Sequence, residues 1–239
     1  CYSMYIQPGY LARPLFSILK KDLFVKEHQG FDHCGSLGDI VLIFKIFVTL
    51  TYLVFVWFIS DFQNKKTEPL FPKPWLTIMR IGYLIPPSCF LFFLWKLSKI
   101  TLNSILTLAM LVFGLLIVLV SKKELGKRHA WAGYAAKQSA DYCVTGIYAW
   151  IRHPLYLGIM VAVTGMAFIV IPGFILQIQL ACTYLIGSVI TFIFLFISSN
   201  KETIYLAKKF GDPFINYARQ VNAFLPIRKY KVDLPISSS

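Results

Sequence analysis

The sequence predicts an all-α integral membrane protein with five transmembrane helices, the last two forming a helical hairpin. Three observations carry this. Of 239 residues, 57% are hydrophobic and 15% charged, with a mean hydropathy of +0.64, too apolar for a soluble domain. The apolar residues gather in runs of about twenty, long enough as helix to cross roughly 30 Å of hydrocarbon. The Lys and Arg residues gather between the runs, unevenly, as they do in membrane proteins of fixed orientation.

Taken in order, residues 1–39 balance Arg13, Lys20, Lys21 and Lys26 against Asp22, Glu27, Asp32 and Asp39 and read as a surface segment, partly helical around 15–25. The first span is 40–59, with Lys45 placed to snorkel; it is too long for a secretory leader. The second is 78–97. Pro86-Pro87 interrupts its hydrogen-bond ladder, which lipid tolerates only where neighbouring helices re-satisfy the backbone. After a tight connection at 98–101 comes the third span, 102–120. A basic loop follows, 121–154, and then an apolar run too long for one helix. Pro172-Gly173 divides that run into spans 155–171 and 174–197. One membrane domain, 1–239, is expected.

Positive charge then assigns the sides. With five spans, one face receives five Lys/Arg and the other, from loops 60–77 and 121–154 and the tail from Ser198, receives sixteen. That bias predicts a cytoplasmic C-terminus and an N-terminus outside or lumenal, so loop 121–154 and the tail can meet. The formal charge of +13 is accordingly ascribed to anionic membrane lipid, and no nucleic-acid partner is expected, since no DNA- or RNA-binding motif accompanies it. The five cysteines, Cys1, Cys34, Cys89, Cys143 and Cys182, are scattered and suggest neither a disulfide framework nor a zinc site. His28, His33 and Cys34 lie close together without a second ligand pair, so no metal is expected.

In the tail, Glu202, Leu206 and Phe210 share one helix face. Gly211 ends that helix, and Asp212-Pro213 reads as an N-cap and first-turn proline that start another. Phe214, Tyr217, Ala218 and Val221 give the second helix an apolar face, for which the loop before Pro154 is the expected partner. Phe224-Leu225-Pro226 ends the pair, and Arg228 to Lys231 is expected at lipid head groups.

The chain changes character at Gly146-Ile147-Tyr148-Ala149-Trp150-Ile151-Arg152-His153-Pro154-Leu155-Tyr156-Leu157-Gly158, where a basic loop passes into the fourth span. Pro154 suits the first turn of a helix, so this stretch sits at a helix N-terminus with free N–H groups and partial positive charge. Arg152 and His153 add donors there. Tyr148 and Tyr156 add aromatic faces that attract cations. Each has a plainer reading: Arg152 as a positive-side anchor, His153 as a polar helix-start residue, Tyr148, Trp150 and Tyr156 as an interfacial belt, and Glu202 as the partner of Ser199 in a capping box, Ser199-x-x-Glu202.

That stretch is followed by Glu202-x3-Leu206-x3-Phe210-Gly211-x2-Phe214-x2-Tyr217 and then Leu225-Pro226. Together they resemble the isoprenylcysteine carboxyl methyltransferase family, and more broadly the membrane methyltransferases that include phospholipid N-methyltransferases. The ending 225–234 is similar to the prenylcysteine enzymes, and the likeness covers roughly 100–234. It implies transfer of a methyl group from S-adenosylmethionine, with S-adenosylhomocysteine as product, to a lipid-linked or prenylated acceptor arriving from the bilayer. The acceptor most expected is the carboxylate of a C-terminal isoprenylcysteine, with phosphatidylethanolamine as the alternative. By match to the family's motif, Cys143, Val144, Tyr148, His153, Pro154, Leu155, Tyr156 and Glu202 would line a cytoplasmic cofactor pocket in 121–154 and 198–234, closed by the C-terminal helices. Arg152 and Glu202 are the catalytic candidates, Glu202 as a base should the acceptor be an amine. The membrane would be the endoplasmic reticulum in a eukaryote and the inner membrane in a prokaryote.

The chain also departs from the pattern. Ser198 stands where the family commonly has a substrate arginine, Thr203 where a second glutamate usually follows, and a histidine before Gly146 is missing. A non-enzymatic membrane protein on the same scaffold therefore stays open. So does a sterol-reductase-like enzyme using a nicotinamide cofactor, whose tail region is similar.

Overall fold

The computed structural model describes residues 34–59, 67–126, 132–136, 141–175 and 177–227. The segment expected to be helical around 15–25, His28, His33, and the basic ending from Arg228 lie outside the described residues. Among the described residues, five helices are long and apolar enough to cross a membrane: α1 (Cys34–Ile59), α2 (Lys73–Lys96), α3 (Leu102–Leu125), α4 (Pro154–Val170) and α5 (Ile178–Phe210). A short α6 (Asp212–Gln220) follows, and two three-residue strands, β1 (Thr67–Pro69) and β2 (Tyr134–Ala136), lie in the connections. The chain divides into two compact units, 1–44 and 45–239. Of the first, only the opening turns of α1 are described; the second carries every element discussed below.

Exposure of the long helices fits a lipid solvent. Ile78, Ile81 and Leu84 on α2, Leu102, Ile105, Phe113 and Leu116 on α3, and Ile186, Val189 and Ile193 on α5 are each more than half exposed. In water such a surface would aggregate, whereas lipid tails are as apolar as the side chains themselves. Association of the helices must then come from close packing and internal hydrogen bonds. Both are present. A Cβ on Gly114 of α3 would lie 2.7 Å from the Gly158 carbonyl oxygen of α4, and one on Gly158 would lie 2.8 Å from the Gly114 carbonyl oxygen. The two backbones touch because neither residue has a side chain. Deeper along the same seam, Thr107 Oγ1 donates to the Gly165 carbonyl at 2.9 Å, and Tyr184 of α5 donates its hydroxyl to the Val163 carbonyl of α4.

The helix ends differ in part from expectation. Helix α2 begins at Lys73, earlier than 78, because Pro74 is favoured in a first turn, and it continues through Pro86 and Pro87. Gly187 of α5 packs there, with room for a Cβ only 2.7 Å from Ile85 Cγ2. Thr101 and Ser104 form a reciprocal capping box at the start of α3. The fifth span does not stop near 197: α5 is one helix of 33 residues ending at Phe210, so the expected first tail helix is its continuation. The proposed capping box of Ser199 and Glu202 is therefore absent. Ser199 lies inside the helix and its hydroxyl turns back to the Phe196 carbonyl at 2.8 Å. Asp212 is not the N-cap of α6 either. Gly211, at φ +67°, holds that position, with Pro213 in the first turn, since a sharp change of direction needs the left-handed backbone that glycine adopts freely.

Two small pairings tie the connections together. Strands β1 and β2 are antiparallel, with Glu68 opposite Ala135, so the α1–α2 and α3–α4 connections lie on one side of the helices. The overhanging part of α5 grips this clip: Tyr205 donates to Glu68 Oε2 at 3.3 Å, and Lys201 Nζ sits 4.5 Å from the centre of the Phe71 ring. Helix α6 folds back so that Phe214, Tyr217 and Val221 are buried against Tyr142, Val144 and Phe210. Tyr217 donates its hydroxyl to the Tyr148 carbonyl at 2.7 Å in a buried setting.

Gly114→Ala should therefore destabilise the protein by about 1–3 kcal/mol, read as a lowered melting temperature in detergent. Gly82→Ala should not, because its Cβ would meet only Ile190 Cγ2 at 3.6 Å. Tyr217→Phe should cost about 1 kcal/mol by leaving the Tyr148 carbonyl without its donor, seen in the same assay.

Candidate functional site

The N-terminus of α4 is the point at which distant segments meet. No side chain caps this helix, and Pro154 occupies its first turn, so the early N–H groups have no side-chain partner. The two residues just before it are held by backbone bonds to the tail: Arg152 N–H donates to the Asn222 carbonyl at 2.9 Å, and His153 N–H to the Ala223 carbonyl at 3.0 Å. Phe224 then lies beside the His153 ring, with centroids 6.2 Å apart, and against Phe196 of α5 at 5.9 Å.

From this anchor the side chains reach α5. Tyr156 donates to Glu202 Oε2 at 3.0 Å, and His153 Nδ1 lies 3.4 Å from the same oxygen. The rings of His153 and Tyr156 are parallel within 6°, with centroids 5.5 Å apart. The other ring nitrogen of His153 is 3.1 Å from Thr203 Oγ1, and Arg152 Nη1 donates to that oxygen at 3.3 Å. Glu202 uses Oε2 for both of these contacts, and no bond to its Oε1 is formed among the described residues. Burial pushes the Arg152 guanidinium below its ordinary pKa, an effect partly offset by Tyr217. Its Nε is buried and has no hydrogen-bond partner among the described residues, and neither has the hydroxyl of the fully buried Ser198.

The structure thus brings Arg152, His153, Pro154, Tyr156 and Glu202 to one place. Leu155 and Tyr148 are buried beside them, and Tyr148 interacts electrostatically with Tyr156. Cys143 and Val144 face other partners as well: Cys143 Sγ is 3.7 Å from the Glu124 carbonyl, and Val144 packs on the α6 cluster.

Three participants escape sequence reasoning. Glu124, at the end of α3, lies so near Gly146 that a Cβ there would be 2.5 Å from its carboxylate carbon, and Thr145 donates to it at 3.4 Å. Tyr83, on α2, interacts with Tyr156 from far along the chain. Thr203 reads in sequence only as a missing glutamate, whereas its hydroxyl joins Arg152 to His153. No local spacing signals the first two.

Comparison with known proteins agrees with this geography. No curated protein matches the chain. Residues 102–213, which run from the start of α3 to the first turn of α6, match the family described as phospholipid methyltransferase. Just under half of the chain is thus similar to phospholipid methyltransferases.

Proposed function

We propose that this protein transfers a methyl group from S-adenosylmethionine to the amine head group of a phospholipid such as phosphatidylethanolamine, at the cytoplasmic face of its membrane. The observation that carries the reading is the convergence of Arg152, His153, Tyr156 and Glu202 at an uncapped helix N-terminus inside the matched domain. The residues present fit the cofactor. Its carboxylate would suit Arg152 Nε, a buried donor without a partner among the described residues, together with the free N–H groups of α4. Its adenine and sulfonium would suit the aromatic faces of Tyr148, His153 and Tyr156, with Pro154 and Leu155 completing the wall. The chemistry it would supply is an electrophilic methyl group.

An amine acceptor is favoured over the carboxylate of an isoprenylcysteine on charge. Glu202 brings a carboxylate to this cluster, which would attract an ammonium and repel a carboxylate. Arg152 already spends one donor on Thr203, and Ser198 brings a neutral hydroxyl where an arginine would receive an anion. An ammonium must lose a proton before its nitrogen can accept a methyl group, and Glu202 is placed to receive it. Phe224, beside the His153 ring, would help to exclude water from the transfer.

Proteoliposomes holding phosphatidylethanolamine should take up labelled methyl groups from S-adenosylmethionine, and Glu202→Gln should lower that rate by about a hundredfold. Methylation of a farnesylated cysteine with none of phosphatidylethanolamine would overturn the amine assignment. Arg152→Ala should weaken S-adenosylhomocysteine binding about tenfold in calorimetric titration; nicotinamide cofactor binding in its place would reject the methyltransferase reading.

A further inference from the structure

Thr203 has one hydroxyl hydrogen, and it is directed at the Ser199 carbonyl at 2.8 Å, the shortest of its contacts. The approaches of Arg152 Nη1 at 3.3 Å and His153 Nε2 at 3.1 Å must then both arrive as donors on the two oxygen lone pairs. Nε2 therefore carries a hydrogen, and in a neutral ring Nδ1 is bare. Yet Nδ1 faces Glu202 Oε2 at 3.4 Å, with Tyr156 donating to that oxygen from the other side. A bare ring nitrogen and a carboxylate oxygen repel, and one proton between them turns the contact into a charge-assisted hydrogen bond. His153 is only 7% exposed, so water does little to relieve the mismatch at the ring nitrogen. Among the described residues, Arg152 approaches the same Thr203 oxygen, with Tyr217 acting on Arg152 and Tyr148 and Tyr83 acting on Tyr156.

We propose that Thr203 is a positioning residue that holds His153 as its Nε2–H tautomer, so that the His153–Glu202 pair accepts and stores the proton shed by an ammonium acceptor. This rests on the amine reading above. In the step, one N–H bond of the acceptor breaks and its electron pair stays on nitrogen as the lone pair needed for attack. The proton lodges between Nδ1 and Oε2, so that ammonium and imidazole become amine and imidazolium, and it passes to water once the product has left. The hydroxyl is the feature that matters: valine has the same shape but gives Nε2 no acceptor.

The test uses the full chain in phospholipid nanodiscs, labelled with ¹⁵N-histidine, with the His153 resonances assigned by their loss in His153→Asn. The wild type should show Nε2–H and a bare Nδ1 that moves toward the imidazolium position when phosphatidylethanolamine is present. Thr203→Val should give mixed tautomers and lower kcat on phosphatidylethanolamine by about tenfold, while its far-ultraviolet circular dichroism spectrum, which reports an intact helical fold, stays unchanged. Thr203→Ser should keep the tautomer and most of the rate. An Nδ1–H ring in the wild type, a Thr203→Val protein with wild-type spectrum and kcat, or a Thr203→Ser protein as impaired as Thr203→Val would each overturn the proposal. Failure of the wild type to methylate any amine lipid would sink the amine reading and with it the proton's role, whereas the nitrogen spectrum separately decides the tautomer.

Discussion

Two backbone hydrogen bonds, from Arg152 to Asn222 and from His153 to Ala223, are the constraint on which the rest of the site depends. A chain about to enter the bilayer must find partners for its last extended N–H groups, because a buried one left unpaired costs as much as a lost hydrogen bond. Here the partners come from the tail, seventy residues further along. The tail is consequently held at the start of α4, and α6 is held over it by the buried hydroxyl of Tyr217. With the backbone so fixed, the ring of His153 meets the stretch of α5 that carries Glu202 and Thr203.

The length of α5 serves the same end. Because the helix does not break where the apolar sequence runs out, Ser198, Glu202 and Thr203 are carried on the rigid extension of a membrane helix. The side chains that meet α4 are therefore placed by packing along the whole of α5, including the close approaches at Gly187. The clip made by β1 and β2 leans on that extension through Lys201 and Tyr205. It shows how a loop distant in sequence can restrain the helix that carries the acid. The polar network itself is compact: one carboxylate oxygen serves Tyr156 and His153, and one threonine oxygen serves His153 and Arg152. In surroundings this apolar each member raises the cost of losing another, so single substitutions within it should not be expected to add.

Some of this could be read from residues alone. The apolar runs announce long helices because lipid admits few other structures. Pro154 marks a helix start, Gly211 a helix end, and the spacing of Phe214, Tyr217 and Val221 a buried face, each through a local rule of backbone or periodicity. Where local rules misled, they did so for one reason: a favourable short pattern was outweighed by what surrounds it. Ser199 and Glu202 have the spacing of a capping box, but residues on either side already continue the helix. Asp212 has the chemistry of an N-cap, but the turn before it needs glycine.

The sequence by itself determined that the chain is a bundle of membrane helices, and which two stretches carry groups able to hold charge, because hydropathy and side-chain chemistry are properties of residues. Only the tertiary structure decided that Thr203 links Arg152 to His153, that one oxygen of Glu202 meets both Tyr156 and His153, and that Glu124 comes up against Gly146. Those facts are distances between residues remote in sequence, and they follow from how the helices pack, which no local pattern encodes.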